Sequence, residues 1–128
     1  MASLVDYRIG QRMVERWIEA VNDHCVESVV AQYAHNAVLI ATIAPYPLID
    51  KRDIRRYFVD FLSKPNLKGV INTIMSQPIK DGFVVSGTYT FSYGRIVKAT
   101  VPARFSYVFV MTPKGYRILN HHSSKIPR

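Results

Sequence analysis

Hydrophobic residues recur at helical spacing across the first quarter of the chain, with charged residues on the opposite side. The apolar positions are Ile9, Met13, Val14, Trp17, Ile18, Val21 and Cys25. This spacing predicts a long amphipathic helix, and Ser3 is a candidate for its N-cap. A second, shorter helix is predicted through residues 26–33. A third is predicted between Asp50, a favourable N-cap, and Lys64-Pro65, where proline ends the helical pattern.

From residue 68 onward the pattern becomes that of strands. Residues 70–79 and 83–93 flank Asp81-Gly82, which is a strong hairpin signal. Two further strands are predicted over residues 96–111 and 116–124, and one short strand over residues 37–43. This order predicts an α+β fold for residues 1–128 as a single domain. We expect three N-terminal helices to pack on a curved, mainly antiparallel sheet that encloses a pocket.

The last hairpin contains the residues with most chemical potential. Its first arm alternates, with Ala103, Phe105, Tyr107 and Phe109 on one face and Arg104, Ser106 and Val108 on the other. Its second arm contains His121-His122-Ser123-Ser124. We expect Arg104, one of these histidines and one of these serines to meet across neighbouring strands. The enclosed cavity is expected to be partly polar, because one strand face has Ser86, Thr88, Thr90, Arg104 and Ser106.

Composition limits the class of protein. The length of 128 residues fits one core, no apolar run is long enough to span a membrane, and the N-terminus lacks an apolar signal-peptide segment. We therefore expect a cytoplasmic protein without a membrane partner. A single cysteine, Cys25, excludes an internal disulfide.

The net charge of +8 arises in the second half of the chain. Residues 1–64 contain eight Lys/Arg and eight Asp/Glu, whereas residues 65–128 contain nine Lys/Arg and only Asp81. A basic surface can bind nucleic acid. Here the basic residues are scattered without a dense run, which weighs against a nucleic-acid partner. An anion-binding pocket or a solvated basic sheet fits as well.

Several short motifs, in order and at suitable spacing, resemble one family. They are Ile18-Glu19-Ala20-Val21-Asn22, Arg56-Tyr57-Phe58 through Leu62-Ser63-Lys64, Gly87-Thr88-Tyr89-Thr90-Phe91, Val101-Pro102-Ala103-Arg104 and His121-His122-Ser123-Ser124-Lys125-Ile126-Pro127. The chain resembles the nuclear-transport-factor-2-like (NTF2-like, cystatin-like) superfamily. Within it, the motifs are most similar to the association, or hub, domain of calcium/calmodulin-dependent protein kinase II and its stand-alone bacterial relatives.

The resemblance implies a cone-shaped pocket and self-association through the sheet into a dimer or a larger ring. It also implies a pocket that accepts small carboxylates. Arg104 matches one of the family's pocket arginines, whereas Thr88 and Ser123 stand at the positions of two others. No kinase domain or regulatory segment accompanies these motifs.

Enzymes of this fold offer an alternative, because its isomerases and dehydratases use a pocket Asp or His as general base. No predicted strand after Asp81 contains a carboxylate. His121 is then the candidate base, facing inward if Arg104 and Ser123 do. The charge of Arg104 would keep it neutral at pH 7. The sequence has no metal-ligand spacing and no cofactor motif, so neither a metal nor a cofactor is expected.

Three hypotheses follow, of which the third is binding of a single-stranded nucleic acid by the interleaved aromatic and basic residues of the sheet. The first is a non-catalytic, self-associating module that binds a small, anionic or polar ligand. Its expected pocket residues are the donor Arg104, the polar side chains Thr88, Tyr89, His121 and Ser123, and the wall residues Trp17 and Tyr33. The second is a small cofactor-free isomerase or dehydratase with His121 as base. Self-association is expected because Phe105, Tyr107 and Val110 would otherwise be exposed.

Overall fold

The computed structural model describes residues 4–127, and its first half contains three helices and one strand. The helices are α1 (Leu4–Asn22), α2 (Val26–Val30) and α3 (Lys51–Leu62). Asp50 caps α3 as predicted, because its carboxylate accepts a hydrogen bond from the Asp53 amide at 2.8 Å. The predicted cap Ser3 lies outside the described residues. None of the described helices combines the length and hydrophobicity needed to cross a membrane.

The strands form one open, five-stranded sheet. They are β1 (Tyr33–Ile40), β2 (Lys68–Ile79), β3 (Gly82–Tyr93), β4 (Ala99–Thr112) and β5 (Gly115–Lys125). Their order across the sheet is β1-β5-β4-β3-β2, and every pairing is antiparallel except that of β1 with β5. The predicted α+β architecture is confirmed. Two predicted boundaries were wrong, since Tyr33 begins β1 and residues 96–98 belong to the β3–β4 connection.

The core lies between the helices and the inner face of the sheet. Alternation along β4 directs Ala103, Phe105, Tyr107 and Phe109 inward, and all four are buried. The sequence pattern predicts that these residues share a face, but the face expected toward the cavity was the polar one that includes Arg104. The aromatic side chains of β4 are instead covered within the same chain. The expectation that Phe105 and Tyr107 need a second copy to cover them is therefore wrong.

One extra residue in β5 decides which histidine faces the core. The β4–β5 pairing shifts by one residue at Leu119, so this residue has no direct partner in β4. Because side chains alternate along a strand, the inward face that includes Ile118 would otherwise continue to His122. After the shift, His121 and Ser123 are the buried residues.

Candidate functional site

A narrow pocket of about 50 Å³ lies between α1, α3, the segment after β1 and the inner face of the sheet. Its apolar lining consists of Trp17, Leu39, Ala41, Ile43, Phe58, Phe61, Phe91 and Val101. Its polar lining consists of Thr42, Tyr57, Lys64, Tyr89, Tyr93, His121 and Ser123. Mostly apolar walls with a few polar groups are typical of small-ligand sites. Since one water needs about 10–15 Å³ of such volume, the pocket holds a few waters or a short organic molecule.

His121 is a deeply buried polar residue of the pocket, at 2% exposure. Its Nδ1 lies 2.8 Å from the Tyr33 hydroxyl and its Nε2 lies 3.2 Å from the Tyr89 hydroxyl. The Trp17 indole N–H donates to the Tyr33 oxygen at 3.1 Å. Either neutral tautomer of His121 satisfies both contacts, because one ring nitrogen donates to a tyrosine oxygen while the other accepts a tyrosine proton. This chain of hydrogen bonds fixes the orientation of the imidazole.

The protonation state of His121 follows from its surroundings. Burial, together with a smaller effect of the charge of His122, lowers the pKa of His121 from 6.5 to about 3. The imidazole also stacks on Tyr107, with ring centroids 3.9 Å apart. His121 is therefore neutral at pH 7 because it is buried, and not because of Arg104. A general base works best when its pKa lies near the working pH, so this histidine is better suited to hydrogen bonding.

A pair of hydroxyl groups adds hydrogen-bonding capacity beside His121. The oxygens of Thr42 and Ser123 lie 2.9 Å apart, and either hydroxyl can donate to the other. Ser123 is buried on β5, whereas Thr42 lies in the segment after β1. In a neutral hydroxyl pair one proton remains available, so the pair can donate a hydrogen bond to a bound ligand.

Lys64 is the cationic side chain of the pocket lining. It follows the C-cap of α3, and its ammonium group lies 4.5 Å from the centroid of the Tyr93 ring. Among the described residues no carboxylate lines the pocket, and Lys64 forms no ion pair. The pocket therefore has an uncompensated positive charge. The sequence did not indicate that Lys64 lines the pocket, because a lysine at the end of a helix gives no sign of a cavity beside it.

Five of the seven predicted site residues lie at or beside the pocket. Trp17, Tyr89, His121 and Ser123 line it. Tyr33 is buried behind them, where it bonds Trp17 and His121 without lining the cavity. Its role is to hold two lining side chains in place.

Arg104 and Thr88 lie on the outer face of the sheet instead. They pair directly across β3 and β4. Arg104 is exposed and its Nε donates to the Ser124 hydroxyl at 3.2 Å, while the Thr88 hydroxyl lies 2.7 Å from that of Thr73. Because Phe105 points inward, the adjacent Arg104 must point outward. The expectation that Arg104 and Thr88 point into the cavity was therefore wrong. The outer face also includes Ser86, Thr90 and Ser106, which were expected to face the cavity.

The described residues offer no evident metal centre. No group of three or more of their His, Cys, Asp or Glu side chains is placed to hold a metal ion. Cys25, at the N-cap of α2, does not line the pocket. Contacts to any bound molecule in the pocket would therefore come from Lys64, the hydroxyl groups and the aromatic walls.

The pocket lies within a segment that matches a known family. The SnoaL-like domain profile matches residues 14–121, a range that includes most of the pocket lining. The chain belongs to the SnoaL-like domain family. No curated protein sequence gives a significant match.

Solved structures place this SnoaL-like chain in the NTF2-like, cystatin-like fold. A candidate calcium/calmodulin-dependent protein kinase II association domain from Xanthomonas campestris is 30% identical, with a TM-score of 0.87 over 100% of this chain and 94% of that chain. A candidate NTF2-like dehydratase from Streptomyces avermitilis is 15% identical, with a TM-score of 0.86 over 97% of this chain and 98% of that chain. An NTF2-like protein with a cystatin-like fold from Novosphingobium aromaticivorans is 8% identical, with a TM-score of 0.80 over 96% of this chain and 84% of that chain. The superfamily resemblance is thereby confirmed, and the last two likenesses concern the fold alone.

Proposed function

We propose that this SnoaL-like protein is a self-associating module whose pocket binds a small organic anion. The observation that supports the ligand class is the ammonium group of Lys64 at a pocket without a lining carboxylate. An anion placed there would gain a charge-assisted hydrogen bond, which is stronger than a bond between neutral groups. No other lining residue among those described is charged at pH 7, since His121 is neutral.

The remaining lining specifies the rest of the ligand. The Thr42–Ser123 hydroxyl pair and Tyr89 supply polar contacts within the cavity. The rings of Trp17 and Phe58 form an apolar wall that suits methylene groups. A volume of about 50 Å³ limits the ligand to a few heavy atoms. A short-chain carboxylate such as butyrate meets all three requirements.

Replacing Lys64 with glutamine is expected to weaken butyrate binding by about tenfold, because a hydrogen bond to a charged group contributes about 1.5–3 kcal/mol and Lys64 is half-buried. Isothermal titration calorimetry with butyrate measures the loss. The uncharged amide of butyric acid should bind weakly to the unmodified protein and to Lys64→Gln alike.

Arg104→Gln is the matched control, since it removes the same charge from the outer face of the sheet. We expect its affinity for butyrate to stay within about twofold of the original. Weaker binding by Arg104→Gln with unchanged binding by Lys64→Gln would contradict the proposal and return the anion site to Arg104.

Self-association is proposed through the outer face of the sheet. Register places Val84 and Val108 side by side on this face, and both are only half-buried. Met75 is 59% exposed and Val70 is also exposed on the edge strand β2. The Xanthomonas relative is described as an association domain. An exposed apolar surface of this kind is suited to pairing with a second copy.

Replacing Val108 with glutamate is expected to convert the assembly to monomers, because an unpaired carboxylate would be buried at the interface. Light scattering after size-exclusion chromatography measures the mass. Val59→Glu introduces the same charge at an exposed valine of α3 and should leave the assembly intact. A monomeric unmodified protein, or equal loss in both variants, would contradict this interface.

The alternative is a cofactor-free isomerase or dehydratase with His121 as general base. The similarity in fold to a candidate dehydratase favours it. Against it, both ring nitrogens of His121 are engaged by tyrosine hydroxyls and its pKa is lowered to about 3. The binding function is therefore the better supported of the two.

A further inference from the structure

A second concave surface lies between α1 and the β4–β5 turn, with a volume of about 1110 Å³. We call it the basic groove, because its cationic lining residues are Arg8, Arg12, Arg16, Lys114 and Arg117. Its lining carboxylates are Glu19 and Asp23, and Glu19 is already bound by Arg12 at 2.8 Å. Positive charge is therefore in excess. The basic groove shares no lining residue with the pocket.

Three of these cations form a row along α1. Arg8, Arg12 and Arg16 follow one another at four-residue intervals on α1, which corresponds to steps of about 6 Å along the helix axis. Lys114 and Arg117 stand on the opposite wall, at the turn between β4 and β5. The sequence contains no dense basic run because the fold collects these residues from separate segments.

Lys51 adds a further positive charge beside the groove. Its Nζ donates to the Val30 carbonyl at 3.0 Å, and the two residues after Val30 line the groove. Burial lowers the pKa of Lys51, and the charges of Arg117 and Lys114 lower it further, so the three cations are close enough to repel one another. None of them forms an ion pair with a described carboxylate. A bound anion would relieve this repulsion.

We propose that the basic groove binds a linear chain of phosphate groups, either inorganic polyphosphate or the backbone of a single-stranded nucleic acid. A row of cations repeated along a groove matches charges repeated along a polymer better than it matches one small anion. Stacking of bases on aromatic side chains would contribute little to binding, since Phe109 is buried and Tyr116 is half-buried against Phe83. Recognition is therefore of the phosphates and not of bases.

The test compares two double variants of the full chain that each lose two positive charges. Lys114→Gln/Arg117→Gln removes cations of the groove, whereas Arg95→Gln/Lys98→Gln removes exposed cations from the β3–β4 connection. Binding of fluorescent oligothymidylate is followed by anisotropy, and long-chain polyphosphate is used in calorimetry. We expect the groove variant to lose about tenfold or more in affinity and the control less than about twofold. The slope of log affinity against log salt should become shallower by about 1.4 in the groove variant alone.

The outcomes separate the possible sources of phosphate. Binding of both probes, weakened by the groove variant, supports a site for any phosphate chain. Binding of polyphosphate alone, weakened in the same way, supports a polyphosphate site. Absence of binding to both probes at about 50 mM salt, or equal weakening by the two double variants, overturns the proposal. Butyrate binding in the pocket should be unchanged in both variants, so the two proposed sites are tested independently.

Discussion

Replacing Trp17 with alanine is expected to lower the free energy of unfolding by about 3–5 kcal/mol. Trp17 is 2% exposed and packs against Phe58, Tyr89 and Tyr107. Removing the indole would leave a large cavity at the centre of the core and take away the donor to the Tyr33 hydroxyl. Urea unfolding followed by far-ultraviolet circular dichroism measures the change. A loss below about 1 kcal/mol would contradict this central packing role.

Because the alanine variant can lose most of its stability, Trp17→Phe provides a second measurement. Phenylalanine keeps an aromatic ring but has no N–H, so we expect a smaller loss of about 1–2 kcal/mol. Tyr33→Phe removes the partner of this hydrogen bond. The double variant Trp17→Phe/Tyr33→Phe should then be less destabilised than the sum of the two single variants, since the shared bond is counted once. Strict additivity would show that the bond contributes nothing.

The free energy of unfolding is expected to fall by about 2 kcal/mol between neutral pH and about pH 5 through His121 alone. In the folded state the pKa of His121 is lowered to about 3 from an ordinary value of 6.5. The unfolded chain therefore takes up a proton that the folded chain does not accept, and acid favours unfolding. The contribution of neutral His121 to the free energy of unfolding is fully present above about pH 6.5. It is lost as the pH falls toward 3, and the free energy of unfolding then changes by at most about 1.4 kcal/mol per pH unit.

Urea titrations across this range test the effect, with His121→Gln as the comparison. The variant lacks the titrating group, so its stability should depend less steeply on pH between about 6.5 and 5, where ordinary carboxylates contribute little. The comparison uses the slope and not the absolute stability, which the substitution also changes. Equal slopes in the two proteins would show that His121 protonates normally in the folded state.

The fold could be predicted from the sequence because its signals are local. Helical spacing located α1, the Asp50 cap located the start of α3, and Asp81-Gly82 located the turn between β2 and β3. Alternation along β4 also identified which residues share a face, although not which of the two faces is buried. These patterns depend on neighbours a few residues apart, so one sequence contains them.

The positions of the site residues depend on contacts between distant segments, which no local sequence pattern indicates. Arg104 was placed inward from the small polar residues on its strand face and from the family resemblance, whereas the packed core buries the opposite face that includes Phe105. The choice between His121 and His122 depends on the extra residue Leu119, and this shift becomes visible only through the pairing with β4. Lys64 reaches the pocket because α3 ends beside it, which is a tertiary relationship.

The central claim is that the pocket beside Trp17 binds a small organic anion, and a nuclear magnetic resonance titration tests it most directly. The sequence contains one tryptophan, so a single indole N–H resonance reports from the pocket lining. We predict that butyrate shifts this resonance in a saturable manner, and that its uncharged amide shifts it much less. An indole resonance that does not move while butyrate is added to saturating concentration would contradict the claim.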